Sequence, residues 1–475
     1  MVGHIVRKEI LENFLSLRFM LSLLLIISIF AISGFVFIGK YEQQWQDYWE
    51  ATNKSLANFG EQTNRLYKLA LHRQEVYRRP KALALCAEGF EKSIPNYFKF
   101  NAFSRDYPEI RGRTNALLFR FCDVDWVFII SLFLSFGAFI FAYNSISGEK
   151  ETGTLRLILS GSMPRHKIIL GKYLAIMFTL GVPLLLGILI NLIIVTSSEN
   201  ISINAVQWHK ILVIAVLSFL YLSIFVLLGM FISSRTSRSV SSMVILLFLW
   251  VGLVMLVPSF GRVVSKTFQK VPTQAEMQRR VSEMMEQWFQ DALSGKYGEN
   301  AGSSGPNLES GNYNPPARAR LFKAIMDERN KVIDGHFDQL TAQVVIGRQF
   351  TRISPVEIYR QACETIAGTG INRFSELRRQ IRGYQADFKE YIRSRDAEDP
   401  DSLHLLFEDL SDTANWWKTM SHRPVDFNTV PKFQERDLGL GESLQLAIWD
   451  IGLLALFNLV FFAASFVSFL RYDVR

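Results

Sequence analysis

Apolar residues fall into six runs that no Asp, Glu, Lys, Arg or His interrupts. Phe19–Gly39, Trp126–Gly148, Tyr173–Ser198, Ile211–Ser234, Ser239–Gly261 and Ile451–Leu470 are 21, 23, 26, 24, 23 and 20 residues long. A helix of roughly 20 apolar residues crosses the ~30 Å hydrocarbon layer of a bilayer, so each run can span it. Core helices of soluble proteins rarely run this far without a charge. The pattern predicts an all-α polytopic membrane protein with six transmembrane helices, at 19–39, 126–148, 168–198, 211–234, 239–261 and 444–470. Leu21–Ala31 followed by Ala31-Ile32-Ser33 has some features of a signal peptide. The apolar run continues to Gly39, however, behind 18 residues of amphipathic chain, which favours an uncleaved anchor.

The orientation follows from Lys and Arg placement. With the N-terminus inside, segments 1–18, 144–172, 233–239 and 471–475 hold twelve Lys and Arg against five Asp and Glu. The large segment 259–443 is nearly neutral, with 25 basic and 26 acidic residues. Trp126, Trp208 and Trp449 then fall at outer span ends, where an aromatic belt is expected. Both termini are read as cytoplasmic, and the net charge of +8 sits mostly at the inner face, which removes its support for a nucleic-acid partner.

Periodicity organises the rest. In 1–18, Val6, Ile10, Phe14 and Leu17 form an apolar stripe, with Arg7, Lys8, Glu9 and Glu12 on the other side: an amphipathic interfacial helix. Segment 40–125 reads as helical up to about Arg79 and irregular afterwards, punctuated by Pro80, Pro95 and Pro108. Segment 262–443 reads as a mainly helical extracytoplasmic domain. Met277, Val281, Met284 and Trp288 mark one helix, 295–316 a Gly/Ser/Asn/Pro loop, and Leu321 to Val344 a second stripe. Ser354-Pro355-Val356-Glu357 has the N-cap, first-turn proline and capping-box carboxylate of a helix start. That helix runs to about Ala367. Phe374, Leu377, Ile381, Tyr384, Phe388 and Tyr391 follow as a narrow seam suited to packing on another helix.

The chemistry is mostly absent. Three Cys exclude a disulfide-dense scaffold and a four-cysteine zinc site; a Cys86–Cys122 bond stays open. The seven His are scattered, so no metal site is expected, and His336 reads as a packed residue. No phosphate loop occurs: Gly171-Lys172 is followed by Tyr173. Leu159-Ser160-Gly161-Ser162-Met163 lacks the second glycine and the glutamine of an ATPase signature. Spans free of ionisable residues disfavour an ion-coupled carrier. Only Lys172 lies near an inner end and Asp450 at an outer one, the latter read as an interfacial residue.

The inner loop 149–167 carries the strongest local signal: a charged cluster, a glycine break, a short apolar helix, a Pro turn, then a helix entering the membrane. Glu149-Lys150-Glu151-x-Gly153-Thr154-Leu155, with Leu159-Ser160, Arg165 and Gly171-Lys172, resembles the hallmark loop of ABC-2 type permeases. The six spans, the amphipathic start and the basic second inner loop with Arg235 and Arg238 are similar to that family as well. Ser354-Pro355 and Ala367-Gly368-Thr369 resemble a bacterial branch with an enlarged helical domain between spans five and six.

The resemblance implies a non-catalytic membrane subunit of a bacterial inner-membrane exporter. A separate ABC ATPase would hold ATP and Mg, and this chain would need no cofactor of its own. A second permease chain, identical or paralogous, would complete the complex within membrane lipid. Glu149–Leu155 would seat in the ATPase as a coupling helix. Lipids, lipoproteins and amphipathic peptides suit the uncharged spans as substrates. A second reading keeps the ATPase but makes the chain a relay of its motion to an extracytoplasmic partner protein; gene neighbourhood discriminates the two. A membrane-embedded enzyme would need a catalytic cluster that the sequence lacks.

Overall fold

The computed structural model describes residues 2–62, 64–89, 91, 94–111, 124–160, 164–261, 271–298, 314–407 and 419–471. Cys122 and most of the 295–316 loop lie outside them. Among the described residues, six helices are long and apolar enough to cross a membrane.

Helix α1 (Val2–Phe14) is followed at once by α2 (Leu17–Gln62). The Ser16 hydroxyl accepts the Phe19 N–H at 3.3 Å and helps start α2. At 46 residues, α2 is about 69 Å long, so over half of it projects beyond ~30 Å of hydrocarbon. The projecting part carries a ladder of Phe37, Tyr41, Trp45 and Tyr48, with successive ring centroids 5.6, 6.0 and 5.7 Å apart. After α3 (Leu66–Leu71) the chain forms an antiparallel hairpin of β1 (Gln74–Tyr77) and β2 (Tyr97–Phe100). The helix expected up to Arg79 therefore ends early. Val76 opposes Phe98 and Tyr77 opposes Tyr97, apolar and aromatic cross-strand pairs that favour the sheet.

The second span consists of α4 (Trp126–Ile129), a π-helical stretch at Ile130–Leu134, and α5 (Ser135–Ala142). Short helices α6 (Ser147–Glu151) and α7 (Thr154–Ser160) lead into α8 (Arg165–Thr196). Next come α9 (Ala205–Arg235) and α10 (Ser239–Trp250), the latter continuing into a π-helical stretch at Val251–Leu256. Helix α9 is the centre of the bundle: Tyr221, Leu222, Ile224, Phe225 and Val226 are all inaccessible to solvent. Trp126 departs from the interfacial position expected of it. It is fully buried, and its Nε1 donates to Asn191 Oδ1 at 2.9 Å. Trp208 and Trp449 remain exposed.

Beyond the spans, α11 (Gln274–Leu293) and α12 (Pro315–Thr351) precede α13 (Pro355–Ala367), α14 (Ile371–Ala397) and the last span, α15 (Leu440–Leu470). The segments before the second span and before the last fold together rather than separately. Phe98, Phe100, Ile333, Phe337, Phe374, Leu377 and Ile381 share one core, and His336 packs beside Tyr107 and Phe337. Arg373 ties the two segments. Buried to 7% exposure, it donates to Glu91 Oε1 at 2.7 Å, to Glu435 Oε1 at 2.9 Å and to the Arg79 carbonyl at 2.5 Å.

Helix α13 begins and ends where its capping signals predict, but it sits deeper than a free-standing outer domain would place it. The Ser354 hydroxyl donates to the Leu253 carbonyl at 2.6 Å within the π-helical stretch of span five, and accepts the Val356 N–H at 3.3 Å. Tyr359 stacks on Tyr221 at 4.5 Å and shares a 2.7 Å hydrogen bond with Ser218. Tyr221 is near the middle of the 31-residue α9, about 24 Å from its start. A helix from the segment between the last two spans thus re-enters the bundle. Asp450 is likewise buried, and it pairs with Arg352 at 2.8 Å instead of resting at the interface.

Candidate functional site

The charged cluster singled out in the sequence lies at the end of the bundle where α1 begins and α15 ends. Helix α1 lies along the start of α8, and Gly171 permits the approach: a Cβ there would be 3.0 Å from Ile5 Cγ2. Beside it, Lys172 is 3% exposed. Its Nζ donates to Glu9 Oε1 and to Glu149 Oε1, each at 2.7 Å. One buried ammonium therefore joins α1, α6 and α8.

Helix α6 is braced on its other side by the turn between α9 and α10. The N–H groups of Ile146 and Ser147 donate to Ser233 Oγ at 3.1 and 2.9 Å. Lys150 donates to the carbonyls of Ser234 and, at 3.2 Å, of Thr236. Glu151 Oε2 accepts the Ser239 N–H at 3.1 Å, at the start of α10. Arg235 and Arg238 of that turn are exposed. Arg165 donates to the Leu470 carbonyl at 2.8 Å, closing the end of α15 onto α8.

Within the expected coupling segment Glu149–Leu155, Glu149, Lys150 and Glu151 all bond within their own chain. Charge reversal at Glu149 or Glu151 would break this bracing, so it would not report cleanly on a partner's groove. What projects instead is the turn after α6. Gly153 has φ +74°, a left-handed conformation that glycine adopts without strain. It turns the chain so that Leu155 is buried at 2% exposure while Leu157 stands 74% exposed. Thr152, Thr154 and Arg156 are exposed around it, and the two threonine hydroxyls lie 2.9 Å apart. The loop is thus a stiff, latched protrusion with Leu157 as an apolar tip.

The sequence pointed to the loop, to Lys172 and to the basic turn. It missed Glu9, the Ser233-Ser234 pair and Leu157. Glu9 and Glu12 both looked like solvent-facing charges of an amphipathic helix, and nothing local separates them. The run Ser233-Ser234-Arg235-Thr236-Ser237 did offer a signal, since hydroxyl-rich turns supply caps to neighbouring backbone. Among the described residues no group of His, Cys, Asp and Glu is arranged to hold a metal ion.

Six apolar helices, a helix lying against the bundle at one end and a braced protrusion beside it define a polytopic membrane protein. The chain belongs to the ABC-2 transporter family: the profile of the ABC-2 family transporter proteins matches residues 4–474. It is an ABC-2 type permease, and the family implies an ABC ATPase as partner. No curated protein matches the chain.

Proposed function

We propose that this chain is the membrane half of an ABC exporter in the bacterial inner membrane, with both termini cytoplasmic and residues 151–157 seated in a separate ATPase that holds ATP and Mg. The observation that carries this reading is the protrusion itself: Leu157 is 74% exposed on a loop whose root is latched to α1, α8 and the α9–α10 turn. A push on such a tip moves helices rather than bending the loop. Through Lys172 it reaches α1 and α8, and through Lys150 and Glu151 it reaches α9 and α10. A second permease chain completes the complex. The relay of ATPase motion to an extracytoplasmic protein is a second reading, favoured by α13, which gives the outer domain a direct grip on spans four, five and six.

Replacing Leu157 with Asp tests the docking assignment. The residue is exposed, so stability should change by no more than about 0.5 kcal/mol. An apolar anchor lost from an interface costs about 2 kcal/mol or more, at least roughly 30-fold in affinity. The expected result is normal membrane levels of the variant with the ATPase no longer co-purifying. Stoichiometric retention of the ATPase by Leu157→Asp would overturn the assignment.

A further inference from the structure

We propose that the projecting face of α2 forms, with β1 and residues 432–435, a groove that takes the headgroup of a lipid entering from the adjacent leaflet. This rests on the permease reading and names its class of substrate: an amphiphile whose head is rich in oxygen acceptors. Three neighbouring cavities string along this face. The lowest, about 10 Å³, lies between Ser33 and Lys40 of α2 and Val124–Asp125 ahead of span two. The next, about 140 Å³, shares Phe37 and Lys40 with it and reaches Tyr48, Tyr77 and Arg79. The third, about 290 Å³, shares those last three residues and extends to Phe59, Gln74 and Tyr384. Ser33 to Phe59 covers about 39 Å of one helix, a path from membrane depth to well beyond the surface.

Both ends of this path have the chemistry of an amphiphile. At the lower end Ile32 and Phe35 are 60% and 66% exposed, apolar surface that faces acyl chains. Higher up, the walls are aromatic faces, Tyr41 and Tyr48 on α2 and Tyr77 and Phe433 opposite, suited to an apolar stem or a sugar face. The polar lining is mixed: Asp47 and Glu75 stand in it, and Glu88, Glu91 and Glu435 are held by Lys40, Arg78 and Arg373, but the groups left unsatisfied can donate. Thr52 Oγ1 and Gln74 Nε2, both on residues lining the largest cavity, are buried with no hydrogen-bond partner among the described residues. A buried donor left unmade is costly, and a headgroup oxygen supplies what is missing. Arg79 and Arg111 stand at the rim with side chains 40% and 46% exposed, paired to Asp437 and Glu109 and close enough to solvent to exchange those partners for a phosphate. Phosphate and sugar headgroups both present such oxygens.

The full chain in detergent, without any ATPase, is titrated with phosphatidylglycerol, with a neutral galactosyl diacylglycerol, and with diacylglycerol, which carries neither headgroup, as reference, and retained lipid is counted by native mass spectrometry. Preferential retention of phosphatidylglycerol identifies a phosphate-reading groove, and of the galactolipid a sugar-reading one; either supports the proposal. Thr52→Val with Gln74→Leu should weaken retention at least tenfold with the thermal midpoint unchanged or raised, because two unsatisfied donors are removed. Leu56→Trp, which fills the largest cavity, should abolish retention and decides the matter if the double variant does not fold. Retention equal to wild type in Leu56→Trp, or equal retention of all three lipids, would overturn the groove. Lost ATPase association with normal lipid retention would count against the exporter reading alone, and lost retention with normal association against the groove alone.

Discussion

Replacing Lys172 with methionine should leave the chain inserted in the membrane but uncoupled from its ATPase. The methionine matches the lysine stem in length, so packing against Gly171 and Ile5 is kept. The change removes the one positive charge between Glu9 and Glu149, each 2.7 Å from the ammonium. Two carboxylates then face each other in a site where the lysine side chain was 4% exposed. Removing one member of a buried ion pair costs about 3–5 kcal/mol, mostly because the remaining charges are stranded. The strain falls on the contacts that hold α1 and α6 to α8, while the apolar spans are untouched. The expected variant is present in membranes, lower in thermal midpoint, newly sensitive to protease near α1, and inactive in ATP-driven transport. Adding Glu9→Gln and Glu149→Gln should recover most of the midpoint, because no charge is then stranded. A single Lys172→Met variant with wild-type midpoint and activity would show that the triad is incidental.

Arg373→Met is the corresponding test of the domain beyond the spans. Arg373 shares Glu91 with Arg78 and Glu435 with Lys81 and holds the Arg79 carbonyl, so its loss takes one of two cations from each buried carboxylate, at a cost of about 3 kcal/mol. The pH dependence adds a signature. Burial alone would raise the Glu435 carboxyl, but the charges of Arg373 and Lys81 override it and hold the carboxyl down at about 2. Burial, then the charge of Arg373, pushes Lys81 down to about 7. A depressed carboxyl contributes stability above its unfolded value near 4.5, and the contribution is lost as pH falls towards 2. The shift corresponds to about 3 kcal/mol. The gap in stability between wild type and Arg373→Met should therefore be full at pH 6 and shrink as pH drops below about 4.5. A gap constant down to pH 3 would contradict the role given to Glu435.

The membrane bundle was legible because its signal is an absence: six long runs without a charge can hardly be anything else. Helix α13 was legible as a helix and illegible as part of the bundle. Glu357, Arg360 and Glu364 interrupt its apolar residues, and charges of that kind speak for solvent. They are tolerated because each finds a counter-charge, Arg360 for Glu357 at 2.5 Å and Arg348 for Glu364, and Arg348 arrives from a different helix. The same limit explains the coupling loop. Lys172 was visible at the edge of its run, but its partner Glu9 lies 163 residues away, and no local pattern links them. Leu157 escaped notice because Leu155, Leu157, Ile158 and Leu159 look alike in sequence. Only the turn at Gly153 decides that Leu155 faces inward and Leu157 outward. Strand β1 was lost to its length, four residues between helical neighbours.

The most direct test of the account is to place a photoreactive amino acid at position 157 of the full chain and irradiate native membranes. The cross-linked partner is then identified by mass spectrometry. The account predicts one dominant product, a soluble ATPase with a phosphate-binding loop, formed at position 157 and not at buried position 155. A cross-link from position 157 only to lipid, or to an extracytoplasmic protein, would place the protrusion on the wrong side or in the wrong role and contradict the coupling assignment.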